Sequence, residues 1–116
     1  MARVQGEAVR GHLDLLILAA LQSEPGHGYG VIARLREESG GALDLPEGTI
    51  YPALHRLERA KCLRSRWGQG NGPRRRVYSV TATGQKELER RRGEWEVLVK
   101  AVTAVTDDQA PNARPA

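Results

Sequence analysis

Gly48-Thr49-Ile50-Tyr51-Pro52-Ala53-Leu54-His55-Arg56-Leu57-Glu58-Arg59 sorts its apolar and polar residues onto opposite sides of a helix. At about 100° per residue, Ile50, Ala53, Leu54 and Leu57 fall on one face, and Gly48, Tyr51, Pro52, His55 and Arg59 on the other. The outer face is unlike an ordinary solvated one. It carries a tyrosine, a proline and a histidine beside Arg56 and Arg59, with Glu58 as its single acid, a set suited to phosphates and base edges. Pro52 is the anomaly. In a helix begun at Pro46, where proline is best tolerated, it lies well inside and removes a backbone hydrogen bond, at up to about 3 kcal/mol. A start near Gly48 or Thr49 makes that cost much smaller. In both cases the proline shapes the N-terminal end, which a recognition helix points at bases.

On the N-terminal side, Gly11 to Leu21 reads as a helix that is apolar nearly all round, buried partly against a second subunit. Ser23 to Gly28 is a turn, and Tyr29 to Ser39 an amphipathic helix stopped by Gly40-Gly41. On the C-terminal side, Leu63 to Trp67 alternates with period two. A loop from Gly68 to Pro73 follows, and alternation resumes from Arg74 to Val80. Thr81 is a good N-cap for a long helix from about Ala82 to Val105. Three helices, a hairpin and a long helix make a mainly α fold with a small β-hairpin, a winged helix-turn-helix carrying a C-terminal dimerisation helix. The expected division is a flexible N-terminal arm over 1–10, the DNA-binding domain over 11–81, the dimerisation helix over 82–106 and a disordered tail over 107–116.

Composition narrows the partner. The 116 residues contain two Trp, three Tyr and no Phe, so the core is aliphatic and small, and a homodimer would supply missing buried surface. Between residues 55 and 76, Arg56, Arg59, Lys61, Arg64, Arg66, Arg74, Arg75 and Arg76 face only Glu58, a local +7 in a chain of net +4. Basicity this concentrated is the footprint of a nucleic-acid surface. Cys62, the single cysteine, excludes an internal disulfide and fits a reducing cytoplasm. Its two readings are a small buried apolar residue and a redox sensor. Met1 to Arg10 lacks the apolar stretch of a secretory signal, and the run Leu13 to Leu21 is too short to span a bilayer. No membrane partner is expected.

The candidate DNA contacts are Thr49, Tyr51, His55, Arg56 and Arg59 on the reading helix, with Pro52 shaping its end, and Arg74, Arg75 and Arg76 on the wing. Leu88, Trp95 and Val102, interleaved with Arg91, Leu98 and Val105, form a short heptad seam on the last helix. That seam suits either a partner helix or packing on its own domain. With Leu13, Leu16 and Ile17 of the first helix, Leu88, Trp95, Leu98, Val102 and Val105 are the candidate dimer interface. Trp95 either packs there or stacks a planar ligand. Enzymatic activity is not expected. His12, His27 and His55 share no metal-ligand spacing with Cys62, no nucleophile and base can be assembled, and no cofactor is implied. Gly26-His27-Gly28-Tyr29-Gly30 follows a helix and lacks a Walker lysine, against a phosphate loop. A second class stays open: a winged helix used only for protein association, its basic ribbon docking an acidic partner.

The chain resembles the PadR family of bacterial transcriptional regulators, in its short form with one C-terminal helix. The marks are Leu13-Asp14-Leu15-Leu16-Ile17-Leu18, His27-Gly28-Tyr29-Gly30, Gly48 to Glu58, and Arg75-Arg76-Val77-Tyr78-Ser79-Val80-Thr81-Ala82-Thr83-Gly84. The resemblance implies a cytoplasmic homodimer, closed by the first and last helices, that binds an inverted-repeat (palindromic) operator on double-stranded DNA, usually as a repressor. It also implies release by a small planar aromatic effector. Tyr29, Thr49, Tyr51, Pro52 and Arg75 stand at signature positions, which adds Tyr29 to the candidate DNA-binding residues, with Tyr51 and Arg75 as implied phosphate contacts. Two residues depart from the pattern. Lys61 stands where a glycine usually closes the reading helix, at about 1 kcal/mol if left-handed, and Val77 stands where an aromatic is common.

Overall fold

Seven elements follow one another in the computed structural model, which describes residues 2–107. They are α1 (Gly6–Val9), α2 (Leu13–Leu21), α3 (Gly28–Glu38), α4 (Glu47–Arg59), β1 (Leu63–Trp67), β2 (Arg76–Val80) and α5 (Ala82–Thr106). Of the tail expected over 107–116, all but Asp107 lies outside the described residues. The N-terminal decapeptide departs from expectation. In place of a flexible arm it carries α1, with Val9 buried in the core and the Val4 N–H donating to Ala42 O at 2.9 Å. Val9, that backbone bond and an Arg3–Asp44 ion pair of 3.2 Å hold it, and Gly11, at φ 90°, turns the chain into α2.

The core is aliphatic, as the composition requires. Ile17, Leu18 and Leu21 of α2, Val31 of α3, Ile50 and Leu54 of α4 and Leu88 of α5 are its largest enclosed side chains. Each contributes roughly 1.5–3 kcal/mol of apolar burial. In α4 the buried set is Ile50, Ala53, Leu54 and Leu57, one face of a 3.6-residue period. Pro46 is the N-cap, so Pro52 does sit inside the helix. Its missing N–H leaves the Gly48 carbonyl without a helical partner, and both residues are exposed, so water reaches that carbonyl. Lys61 ends the helix with φ 67°, its N–H bonded to Glu58 O and the Cys62 N–H to Leu57 O, a complete Schellman turn.

The wing is one antiparallel pair, running from Leu63 opposite Val80 to Trp67 opposite Arg76. Arg74 and Arg75, expected on the second strand, belong to the connecting loop. The last rung is Gly68 N–H to Arg75 O at 2.7 Å, and Pro73 has no N–H to extend it. Gly26 pairs with Tyr78 on the other side of β2, which ties the turn before α3 to the hairpin. Thr81 caps α5 by accepting from the Gly84 N–H at 3.0 Å, and its own hydroxyl donates to Lys61 O at 2.6 Å. Gly84 packs so closely on the Cys62 carbonyl that a Cβ has no room. The wing, the end of α4 and the start of α5 are thus locked at one point.

After Arg92, hydrogen-bonded to Gln22, and Trp95, set against His12, α5 leaves the body of the molecule. Trp95, Leu98, Val99 and Val102 are 40–50 % exposed. The radius of gyration, 16.9 Å, exceeds the roughly 13 Å of a compact chain of this length, as a projecting helix requires. Among the described residues no helix is long and apolar enough to cross a membrane.

Candidate nucleic-acid interface

Three elements bring their ends together at the start of α4. His27 caps α3, its Nδ1 accepting the Gly30 N–H at 3.0 Å, which leaves the ring proton on Nε2. Arg75 Nη1 lies 3.5 Å from that Nε2, so two N–H donors stand side by side. The Arg75 guanidinium also lies 5.4 Å from the Tyr29 ring, and Tyr29 meets Tyr51 of α4 edge to face at 5.9 Å. The order along this surface is wing, α3, α4. Gly28 makes the approach possible, because a Cβ there would collide with the Tyr51 ring. A sequence reading that takes His27 and Gly28 only as turn residues misses both; the glycine immediately before a signature tyrosine is the signal that was present.

Both phenols remain protonated donors well above neutral pH. A hydrogen-bonding Glu47 carboxylate, and then its charge, pushes the Tyr29 hydroxyl above its ordinary value, with Arg75 opposing. Burial does most to push Tyr51 upward, with Glu47 adding and Arg75 again opposing. Glu47 is therefore an acid set among the donors, in the first turn of α4. Pro52, His55 and Arg59 lie along the exposed side of α4, and among the described residues neither His55 nor Arg59 has an ion-pair partner. Thr49 is half-buried and lines a depression shared with Arg10 and Leu13, on the flank toward α1.

Arg56 is not with them. Expected on the outer face, it turns back to the Asp14 carboxylate of α2, because its position on α4 lies toward the flank that packs on that helix. The wing arginines also divide. Arg74 and Arg76 each place a guanidinium 5.0 Å from the exposed Trp67 ring, and Arg76 donates to Ser65 Oγ at 2.7 Å. Ser65 in turn donates to Glu58, so the one acid of the Gly48 to Arg59 stretch is bound to the wing. Only Arg75 joins the tyrosine stack.

The candidate interface between copies divides as well. Ile17 and Leu88 have no exposed surface within one chain, so their side chains are core and cannot meet a second copy. Leu13 and Leu16 are half-buried against that core, while Trp95, Leu98, Val102 and Val105 are exposed. Trp95 rests edge-on against His12 at 4.9 Å. Two cavities of about 370 and 230 Å³ meet along His12, Leu15 and Trp95. Cys62 is buried, and burial pushes its thiol upward, the character of a small apolar side chain. Among the described residues no cluster of three or more His, Cys, Asp or Glu forms a metal site.

Comparison with known proteins gives this arrangement its relatives. The sequence pattern of the transcriptional regulator PadR-like family matches residues 17–90. A transcriptional regulator from Clostridium thermocellum is 27 % identical, with a TM-score of 0.82 over 90 % of this chain and 99 % of that one. A PadR family transcriptional regulator from Eggerthella lenta is 30 % identical, with a TM-score of 0.77 over 89 % of this chain and 88 % of its own. An uncharacterized protein X of Lysinibacillus sphaericus is 27 % identical over 93 residues, which are 79 % of this chain and 85 % of that protein.

Proposed function

Because the chain belongs to the PadR-like family of transcriptional regulators, we propose that it binds double-stranded DNA through α4 and the wing, as a homodimer. One observation carries the reading: Arg75, Tyr29 and Tyr51, from the wing, α3 and α4, form a continuous row of side chains, guanidinium on ring and ring on ring, at the start of the helix whose exposed side is Pro52, His55 and Arg59. A helix lying in a major groove is flanked by phosphates, and such a row suits that flank while His55 and Arg59 reach toward base edges. Thr49 serves the opposite flank. Arg74 and Arg76, gathered on Trp67, present a second cationic group at the wing for backbone or minor groove.

The second copy covers α5. Trp95, Leu98, Val102 and Val105 form an apolar strip that one chain leaves in water, with Leu13 and Leu16 beside its base. Two-fold pairing there would set two α4 helices on an inverted repeat, and occupancy of a promoter by such a dimer represses. The cavities along His12 and Trp95 are where a planar aromatic effector would act. The protein then works in the cytoplasm. Titration of the DNA upstream of its own gene at several salt concentrations tests the reading. Arg75→Ala should weaken binding uniformly across sequences and reduce the salt slope by about 1. Native protein that shifts no DNA at low salt would favour the protein-association class.

A further inference from the structure

The short heptad on α5 is interrupted by one cation, Arg91, and α4 has one arginine, Arg56, that does not lie on its outer side. Both end on Asp14. This residue belongs to α2, which packs against α4 on one side and α5 on the other. One carboxylate oxygen accepts from Arg56, and the other lies 3.5 Å from Arg91 Nη2. The carboxylate is 15 % exposed, the Arg56 side chain 51 %. Arg91 is held in turn by Glu87, its Nε donating at 2.6 Å, and Arg90 links Glu87 to Glu94, the neighbour of Trp95. Three cations and three anions thus balance along a line from the reading helix to the projecting helix.

Arg56 stands one helical turn from both Pro52 and Arg59, about 40° and 60° round the helix from them. A side chain of its length spans that angle. We propose that Asp14, itself paired with Arg91, withholds Arg56 from DNA. The inference rests on the DNA-binding reading. Its distinguishing consequence is a gain: freeing Arg56 adds a phosphate contact, whereas a purely structural ion pair, once cut, loosens α4 and weakens binding.

The experiment is a salt titration of DNA binding with native protein, Asp14→Asn, Arg56→Ala, the double variant, and Arg75→Ala as the reference for the DNA face. Asp14→Asn should bind severalfold more tightly, its salt slope steeper by about 0.9, the value of one added phosphate contact on duplex DNA. Arg56→Ala should match native affinity and slope, and in that background Asp14→Asn should add nothing. Unchanged or weaker binding by Asp14→Asn overturns the proposal. A gain that survives in the double variant overturns it too, since the effect is then only the loss of an acid near DNA. Should Asp14→Asn fail to fold, Arg56→Ala still decides: a slope reduced by about one contact means Arg56 already touches phosphate. Native protein that binds no DNA removes the DNA reading and this inference together. Native binding weakened by Arg75→Ala, with no gain from Asp14→Asn, removes this inference alone.

Discussion

Lys61 adopts φ 67°, a conformation that crowds any Cβ, yet it closes α4 with both hydrogen bonds of a Schellman turn. The turn is wanted and the side chain is not. Lys61→Gly should therefore raise stability by about 1 kcal/mol, read as a higher denaturation midpoint with an unchanged slope. Glu87 shows the electrostatic counterpart. Hydrogen bonds from Arg90 and then Arg91 outweigh the burial that opposes them, and hold its carboxyl at about 2, against an ordinary 4.5. A value depressed by folding contributes stability that is complete above pH 4.5 and lost as pH falls toward 2. Native protein should lose stability across that window, and Glu87→Gln should lose less there, in urea titrations at stepped pH. Asp14 belongs to the same line of charges but joins residues 42 apart in the chain, which no local spacing reveals.

At the scale of elements, the reading helix, the hairpin and the Thr81 cap were legible in the sequence because each is written locally. Apolar spacing of 3.6 marks α4, alternation marks β1, and a threonine before Ala82 marks the start of α5. The misreadings have a common cause. Heptad spacing put Leu88 on the same seam as Trp95, but α2 covers the first turns of α5, only the His12 ring meets Trp95, and Val102 and Val105 stand exposed. Helical spacing cannot say where that cover ends. Likewise Arg56 and Arg59 lie only about 60° apart on a helical wheel, and it is the Asp14 carboxylate of α2 that draws Arg56 to one side. Gly84 sits where three elements lock, against the Cys62 carbonyl and under the Thr81 cap. Gly84→Ala should cost about 3 kcal/mol, because the obstructing atom is backbone rather than a movable side chain. A thermal melt within experimental error of native would show that α5 can shift away from the turn.

The whole molecule is a small aliphatic body with one long lever, 66 Å in its greatest extent. Its arginine and tyrosine row lies on the body and its exposed apolar strip on the lever, so the surfaces proposed for DNA and for a second copy are different ones. Two copies joined along α5 would present two α4 helices to one side of a duplex, about 34 Å apart, one turn of DNA. Hydroxyl-radical footprinting on the DNA upstream of the gene examines that geometry most directly. Two protected patches are expected, related by a dyad and separated by about one helical turn, with a contrast that fades in Arg75→Ala. A single unpaired patch, or protection that Arg75→Ala leaves intact, would contradict it.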